Sequence, residues 1–300
     1  MKKTTKLLIL FALSVFIFSC EVPDPLQKLE GEIREEFAKG GGDFALAFRD
    51  LNSEAELLID AEEKFHAAST MKTPVMIEVY KQAKAGLFKL DDSLEVKNTF
   101  YSIVDSSLYS LNSEDDSEHE LYQAVGEKRS IRDLVYDMII VSSNLATNIV
   151  IDLVDAREVT QSMRELGAMD TEVLRGVEDI KAYRAGLSNS TTAKDLMIIF
   201  KKMAKGETVD QQASSEMIET LLDQKFNDII PVHLPKEVKV AHKTGSITAL
   251  HHDSGIVFLP DGRNYVLVLL SKNLKDFDKG TETLAQVSKR IYEFMMEDAK

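Results

Sequence analysis

The chain of 300 residues is 44% hydrophobic and 29% charged, and its formal net charge is −14. This length and composition allow one large hydrophobic core or two joined subdomains. Because acidic residues outnumber basic ones and no basic cluster offsets them, the surface repels nucleic acid and anionic lipid headgroups, and we expect neither as a partner.

The N-terminal segment 1–19 has the features of an export signal. Three lysines within its first six residues precede the apolar run 7–18, which is too short to span a bilayer. Cys20, the only cysteine, follows directly, so no intramolecular disulfide can form. Either this is an ordinary signal peptide with an incidental cysteine, or Cys20 is lipidated as the mature N-terminus of a bacterial lipoprotein. We expect the second: an exported, periplasmic or cell-surface protein attached to a membrane only through the lipid on Cys20.

A tether, a helix and a hairpin are predicted next. Residues 20–25 contain two prolines and two acids and are predicted to form a tether before the folded domain, 26–300. Apolar residues at helical spacing then predict an N-terminal helix, which ends at Gly40-Gly41-Gly42. Residues 43–51 and 55–60 predict the two strands of a hairpin.

The chain from about residue 70 to 225 is predicted to be mostly helical. Proline fits a helix only near its start, so Pro74 requires a helix that begins close to Ser69. Ser69 then lies near the positive end of that helix, where a developing anion is favoured. The acidic stretch 114–118 indicates a solvated loop. Two amphipathic stripes predict core-facing helices whose methionines serve packing: Ala193, Leu196, Phe200 and Met203, and Met217, Leu221 and Leu222.

The C-terminal part is predicted to return to strands. An alternating apolar pattern leads into Lys243. Residues 254–259 and 265–270 flank the turn sequence Pro260-Asp261-Gly262. An apolar stripe after residue 284 predicts a closing helix.

Strands at both ends with helices between them predict an α+β fold, a three-layer α/β sandwich. We expect one antiparallel, five-stranded sheet built from N- and C-terminal segments. The predicted division is an α/β part over 26–68 and 226–300 and an inserted all-helical part over 69–225. No internal repeat is evident.

Three short motifs follow one another along the chain: Ser69-Thr70-Met71-Lys72, Ser142-Ser143-Asn144 and Lys243-Thr244-Gly245. A serine hydroxyl is a weak nucleophile that needs a nearby base, and the Ser-x-x-Lys spacing places both side chains on one helix face. Each motif alone is weak evidence. Their order and wide spacing together indicate a serine–lysine acyl-transfer site.

In these motifs and in its strand–helix–strand layout, the chain resembles the class A serine β-lactamases and their penicillin-binding relatives over nearly all of its length after the signal. That family has a β-lactamase/transpeptidase-like fold with the active site between sheet and helical domain, and it hydrolyses β-lactams through a serine acyl-enzyme. The resemblance implies a monomeric serine hydrolase with no metal or other cofactor. Its partner would be a small-molecule substrate, a β-lactam or a peptidoglycan-like amide.

The resemblance also implies catalytic roles. Ser69 would be the nucleophile and Lys72 its base or proton relay. Ser142 would pass a proton toward the leaving nitrogen. The backbone amides of Ser69 and Ser246 would form the oxyanion hole, which contributes about 3 kcal/mol per donor in such enzymes.

Substrate-binding roles follow from the same resemblance. Asn144 would hold the substrate's side-chain amide, Lys243 would supply positive charge, and Thr244 would contact a substrate carboxylate. Gly245 and Ser246 would complete this substrate-binding segment.

Two departures from the family's pattern concern the middle motif and the deacylating loop. Ser143 stands where aspartate is usual. Glu178 is the candidate base for deacylation, but it follows Arg175 by three residues rather than two, and Ala182 stands where the family has an asparagine that shares its water. The alternative for Glu178 is a structural ion pair with Arg175 at helical spacing.

A third departure follows the last motif. Where an arginine commonly reaches the substrate carboxylate from the next strand, this chain has His251, His252 and Asp253. Alternate side chains of a strand point apart, so the three cannot all face one metal ion, and we expect no metal site. We expect one histidine to line the pocket and to make substrate binding pH-dependent near neutrality.

Three functions remain open for this site. The first is a β-lactamase that degrades β-lactam antibiotics, the second is a D-Ala-D-Ala peptidase or esterase of the cell wall, and the third is a non-catalytic sensor of muropeptides or β-lactams. Glu178 favours the first function, which needs a deacylating base. The missing asparagine and arginine favour the other two.

Overall fold

The computed structural model describes residues 24–297, so the predicted signal peptide and Cys20 lie outside the described residues. Within 24–297 the helices are α1 (Pro25–Gly40), α2 (Lys72–Lys84), α3 (Glu120–Gln123), α4 (Ile131–Ile140), α5 (Asn144–Val154), α6 (Ala156–Leu166), α7 (Ile180–Arg184), α8 (Ala193–Ala204), α9 (Gln211–Leu222) and α10 (Phe277–Glu297). The strands are β1 (Asp43–Asp50), β2 (Glu56–Ile59), β3 (Phe65–His66), β4 (Ser93–Glu95), β5 (Phe100–Tyr101), β6 (Leu108–Tyr109), β7 (Lys128–Ser130), β8 (Ser190–Thr191), β9 (Lys239–Ile247), β10 (Leu250–Phe258) and β11 (Asn264–Lys272). Short 3₁₀ helices cover Ala68–Met71 and Ser113–Asp115.

The main sheet joins the two ends of the chain. Its five antiparallel strands have the order β2-β1-β11-β10-β9. β1 pairs with its hairpin partner β2 on one side and with the C-terminal β11 on the other, so Leu46 lies between Ile59 and Leu269. The predicted hairpin and the predicted five-stranded antiparallel sheet are confirmed.

Both faces of this sheet are covered. Residues 265–270 of β11 are all fully buried, although successive side chains of a strand point to opposite faces. Their odd-numbered members pack in a core with α1 and α10, and their even-numbered members pack in a second core with α8 and the other helices. A strand that is apolar at every position is buried on both sides. The result is the predicted three-layer sandwich.

Helices α4, α5, α6 and α9 pack against α2, whose first nine residues are all buried. The stripe from Ala193 to Met203 is buried along α8, as predicted. In α9, Met217 and Leu221 are fully buried, but Leu222 is 36% exposed, so its predicted place in the stripe is wrong. One residue turns a helix by about 100°, which carries Leu222 off the buried face.

Two predicted boundaries differ from those in the structure. α1 begins at Pro25, with Asp24 accepting a hydrogen bond from the Leu26 amide at 3.1 Å, so the predicted tether 20–25 overlaps the helix. Proline is suited to this first position because its missing N–H has no helical acceptor there. β10 begins at Leu250 rather than at residue 254. Residues 251–253, which precede the predicted start, are polar but buried, and hydrogen bonds within the protein replace their contacts with water.

Among residues 24–297, no helix combines the length and the apolar character that a membrane crossing requires.

Candidate active site

A cleft of about 380 Å³ lies between the edge of the main sheet and the helical region, a volume typical of small-molecule sites. Lys72, Lys243 and Glu178 lie behind its surface, hydrogen-bonded to Ser142 or Asn144. The predicted site residues that line the cleft are Ser69, Ser142, Asn144, Thr244, Gly245 and Ser246. The remaining lining residues are Asp115, Ser117, Phe226, Asp228, His251 and Phe277.

Ser69 lies in the 3₁₀ turn that leads into α2, as Pro74 predicts. Gly245 of β9 passes close to this turn: a Cβ at position 245 would lie 3.0 Å from the Ser69 amide nitrogen and 3.1 Å from that of Thr70. Only glycine lets the strand come so near without crowding the two amides. The Ser69 amide therefore lies against the strand that carries Ser246, its predicted partner in an oxyanion hole.

Lys72 is fully buried and donates three hydrogen bonds to the turn before α5. Its ammonium lies 2.6 Å from the Ser142 carbonyl oxygen, 3.1 Å from the Ser142 hydroxyl and 3.0 Å from Asn144 Oδ1. Burial lowers the pKa of Lys72 to about 7, and the negative charges of Asp116 and Glu178 oppose this shift. A lysine with that pKa is partly neutral at neutral pH and can accept a proton.

Among the described residues, no hydrogen bond joins the Ser69 hydroxyl to Lys72, although the Ser-x-x-Lys spacing brings both to one helix start. In a site without substrate, catalytic hydrogen bonds are often long and tighten only in the reactive complex. In the substrate-free site, three hydrogen bonds to Ser142 and Asn144 hold the Lys72 side chain in place.

Ser142 links the two buried lysines. Its hydroxyl lies 3.1 Å from the Nζ atom of Lys72 and 3.1 Å from that of Lys243. Burial lowers the pKa of Lys243 well below the usual lysine value, and the charge of Lys72 lowers it further while Asp253 raises it. A hydroxyl between two such lysines can take a proton from one side and give it to another group. Its position suits the proton-relay role that the sequence predicts for it.

Asp116 corrects the prediction of a solvated acidic loop. Its side chain is buried, with the residue only 5% exposed, and its carboxylate accepts hydrogen bonds from the amides of Asn144 and Leu145 and from the Tyr122 hydroxyl. The N-terminus of α5 attracts a carboxylate because its first amides lack helical acceptors. The run of acids gave no sign of this, since the partner amides of Asn144 and Leu145 lie 28 and 29 residues further along the chain.

Ser143, which replaces the family's usual aspartate, caps the same helix. Its hydroxyl accepts a hydrogen bond from the Ala146 amide at 3.2 Å. Serine is among the preferred N-cap residues. Ser143 and Asp116 thus share the orphan amides of α5 and hold Ser142 and Asn144 in the cleft.

We expect Asp116→Ala to lower the free energy of unfolding by about 2–3 kcal/mol, because it leaves buried amides without acceptors. Urea denaturation monitored by circular dichroism measures this loss. Asp115→Ala is the matched control, since Asp115 is exposed and should change stability by less than about 0.5 kcal/mol. Equal effects of the two substitutions would contradict the capping role of Asp116.

Glu178 reaches the site through Asn144. Its Oε1 atom accepts a hydrogen bond from Asn144 Nδ2 at 3.0 Å, and Asn144 Oδ1 in turn binds Lys72. Burial raises the pKa of Glu178, the Asn144 bond opposes this, and nearby Asp116 raises it further. A carboxylate with a raised pKa is a stronger proton acceptor when ionised.

The alternative prediction for Glu178, an ion pair with Arg175, is wrong. The Arg175 guanidinium instead donates to the Leu187 carbonyl at 2.9 Å and to the Gly176 carbonyl at 2.8 Å, and the described residues contain no Arg175–Glu178 ion pair. The segment is not helical, and Glu178 has a positive φ of 62°. A spacing of three therefore does not bring the two side chains together.

Asn148 holds the Glu178 loop, although no sequence motif marked this residue. Its side-chain amide donates to the Val177 carbonyl at 3.0 Å and accepts from the Val177 amide at 2.7 Å, and a Cβ at Gly176 would overlap it. Ala182, which replaces the family's asparagine, is buried in α7. One signal was available: Asn148 follows Asn144 by one helical turn and so lies on the same face of α5.

The residues His251, His252 and Asp253 separate as the strand geometry predicts. His251 lines the cleft, where its ring stacks on Phe277 at 4.9 Å between centroids. His252 is fully buried and donates through Nε2 to the His66 carbonyl at 3.0 Å. Asp253 pairs with the ring of His242 at 2.8 Å. Among the described residues, no group of three His, Cys, Asp or Glu side chains could hold a metal ion.

The tautomer of His251 follows from its neighbours. The Thr281 hydroxyl donates to the Phe277 carbonyl at 2.9 Å, so it accepts from His251 Nδ1 at 2.8 Å. The other ring nitrogen, Nε2, lies 3.8 Å from the carboxylate of Asp228. Burial lowers the pKa of His251, while Asp228 and Asp253 oppose the shift. Asp228 lies in a loop and Phe277 is the first residue of α10. No sequence motif marked either residue.

Comparisons with known proteins identify the family of the chain. A sequence model of the Beta-lactamase enzyme family matches residues 28–295. The extended-spectrum beta-lactamase PER-1 of Pseudomonas aeruginosa is 25% identical over 258 residues, which cover 79% of this chain and 78% of that protein.

Solved structures share the fold. PBP-A, as an L158E mutant in an acyl-enzyme complex with penicillin G, is 25% identical and superposes with a TM-score of 0.76 over 92% of this chain and 97% of that one. TLA-1 extended-spectrum beta-lactamase is 19% identical, with a TM-score of 0.79 over 91% of this chain and 99% of that one. These neighbours confirm the β-lactamase/transpeptidase-like fold. The chain belongs to the beta-lactamase enzyme family and, at the level of that family, is a β-lactamase-like serine hydrolase.

Proposed function

We propose that the protein is a β-lactamase: it opens the β-lactam ring through an acyl-enzyme on Ser69 and then hydrolyses that intermediate. The observation that carries this proposal is the carboxylate of Glu178, which shares a hydrogen-bond network with Lys72 through Asn144. A stable acyl-enzyme needs no such base, whereas its hydrolysis does.

Acylation begins with transfer of the Ser69 hydroxyl proton to neutral Lys72. The Ser69 oxygen attacks the lactam carbonyl carbon, and the amides of Ser69 and Ser246 stabilise the oxyanion. The carbon–nitrogen bond of the ring then breaks as Ser142 donates its proton to the leaving nitrogen. A proton from the Lys72 ammonium, 3.1 Å away, restores the Ser142 hydroxyl.

Deacylation uses Glu178 as the base. The ionised carboxylate takes a proton from water, and the resulting hydroxide attacks the ester carbonyl. The ester carbon–oxygen bond then breaks as the proton held by Glu178 passes to the Ser69 oxygen, which restores both groups. Asn144 orients Glu178 through the 3.0 Å bond to its Oε1 atom. Because burial raises the pKa of Glu178, its carboxylate loses the base role as pH falls through that raised value.

The substrate carboxylate would bind at the sheet edge. Thr244 and Ser246 line the cleft on β9, and His251 lies opposite Ser246 on β10. Buried Lys243 lies behind them, hydrogen-bonded to the Ser142 hydroxyl at 3.1 Å. We propose that His251 Nε2 takes the place that an arginine commonly has in the family.

We expect the KM for a penicillin to rise as pH increases from about 5 to 7.5, because a protonated His251 attracts the substrate carboxylate and a neutral one does not. The pKa of His251 is lowered, so the change falls on the acid side of its ordinary value. His251→Gln should remove this change in KM while leaving a hydrogen-bond donor. Steady-state kinetics across this pH range measure it, and an identical KM profile in the variant would exclude His251 from carboxylate binding.

A cell-wall peptidase is the second candidate function. Ala182 in place of the family's asparagine favours it. Mass spectrometry of the intact protein with penicillin over time separates the two. A transient adduct on Ser69 supports a β-lactamase, a persistent adduct supports a peptidase or sensor, and no adduct contradicts both.

We also propose, from the sequence alone, that Cys20 is lipidated and anchors the exported protein. Detergent-phase partitioning of the wild-type protein, lost in Cys20→Ala, tests this proposal.

A further inference from the structure

The backbone just before Ser69 is strained. Ala68 has a positive φ of 44°, in the left-handed region that residues with a Cβ rarely adopt. Such a conformation persists only when surrounding contacts hold it. Ser69 follows directly and carries both the nucleophilic hydroxyl and one predicted oxyanion amide.

Two contacts hold this turn from outside. The Ala67 amide donates to the Asn189 carbonyl at 2.9 Å. The Ala68 amide donates to Nδ1 of the His66 ring at 3.0 Å. The His66 side chain therefore accepts a hydrogen bond from the amide of Ala68, the strained residue itself.

His66 is in turn fixed to the main sheet. Its carbonyl accepts from His252 Nε2 at 3.0 Å, and His252 Nδ1 accepts from the Ser271 amide at 3.1 Å. His252 is therefore neutral, with one nitrogen donating and the other accepting. Burial lowers the pKa of His252 to about 4, so the ring stays neutral at pH values well above 4.

We propose that His66 is a positioning residue: its neutral ring holds the Ala68 amide through Nδ1 and thereby fixes the backbone of Ser69 for acylation. The inference rests on the proposed function of Ser69. His66 does not line the cleft, so it acts through Ala68 rather than on the substrate.

This role requires a neutral ring. A protonated imidazole has hydrogen on both nitrogens and cannot accept the Ala68 amide. Burial lowers the pKa of His66, and the positive charge of Arg175 lowers it further. The other titratable groups facing it are the buried ring of His252 and the edge of the Tyr183 ring at 6.4 Å between centroids. The bond is therefore intact at neutral pH and lost in acid.

The experiment compares His66→Ala with His66→Asn in the otherwise unchanged protein. An asparagine oxygen can accept the amide two residues further on, as in an Asx-turn, but it does not titrate. His233→Asn is the matched control, because His233 pairs with Glu282 at the surface. Stopped-flow acylation by a chromogenic cephalosporin gives the rate, and circular dichroism confirms that each variant is folded.

We expect His66→Ala to acylate at least tenfold more slowly than wild type at pH 7.5, and His66→Asn and His233→Asn to stay within threefold. With saturating substrate, the wild-type acylation rate should fall in acid with two ionisations, that of Lys72 near pH 7 and that of His66 at lower pH, whereas His66→Asn should show only that of Lys72. The inference is overturned if His66→Ala acylates at the wild-type rate, if His66→Asn is as slow as His66→Ala, or if His66→Asn keeps both ionisations.

A substrate-free measurement separates this inference from the proposed function. Nitrogen NMR of the His66 ring should show hydrogen on Nε2 and an accepting Nδ1, with the Ala68 amide shifting as His66 titrates. If wild type forms no adduct with any β-lactam, the proposed function fails, and this spectrum still decides the His66 bond. A ring with hydrogen on Nδ1 at neutral pH would overturn it.

Discussion

Ser69→Ala is expected to abolish covalent labelling by penicillin and to lower turnover by at least about 10³-fold, as loss of a catalytic serine does elsewhere. Ser69 lines the cleft at the start of α2, and none of the described residues hydrogen-bonds to its hydroxyl. The substitution should therefore change the free energy of unfolding by no more than about 0.5 kcal/mol. Labelling with a fluorescent penicillin and urea denaturation measure the two effects.

Ser215→Ala serves as the control, since Ser215 is exposed on α9 and donates only to the Gln211 carbonyl. It should label as wild type does. Labelling that survives in Ser69→Ala would show that another residue is the nucleophile.

Glu178→Gln is expected to form the acyl-enzyme at a near-normal rate and then stall, with deacylation slowed by at least about 10²-fold. The glutamine oxygen can still accept from Asn144, so the loop keeps its shape, but the amide cannot take a proton from water. In the proposed mechanism acylation depends on Lys72, so it should continue. Pre-steady-state nitrocefin kinetics should then show a burst of one equivalent followed by arrest.

Glu172→Gln is the matched control, because its carboxylate pairs at the surface with Lys64 at 3.7 Å. Its steady-state rate should equal that of wild type. An unchanged steady state in Glu178→Gln would remove Glu178 from catalysis and would favour a hydrolase that positions its water through other groups.

Local chemistry explains which parts of the fold the sequence could predict. Pro74 places the start of α2 because a proline ring excludes a preceding helical turn. The fully apolar run in β11 predicts a strand buried on both faces. The motif residues could be recognised because their spacing is tied to helix and strand geometry.

The rest depends on contacts between distant segments. In the sequence Asp116 belongs to a charged run, and only the folded chain brings the α5 amides within hydrogen-bond distance of it. Residues 251–253 are polar and do not suggest a buried strand, but in the fold His251 and His252 form hydrogen bonds that allow β10 to begin at Leu250. Asn148 binds the Glu178 loop across 29 residues. A local pattern can place Asn148 on the same helix face as Asn144, but the partner of each of these side chains appears only when the chain has folded.

The pairing of β1 with β11 also sets a condition on synthesis. The hairpin of β1 and β2 emerges early, but a two-stranded hairpin alone is only marginally stable in water. Its permanent partner, Asn264–Lys272, follows it by more than 200 residues along the chain, so it is synthesised much later. A nascent chain that ends before β11 therefore lacks the strand that joins the hairpin side of the sheet to β10 and β9, which carries Lys243. We expect such truncated chains to remain unlabelled by penicillin and to be rapidly degraded by proteases.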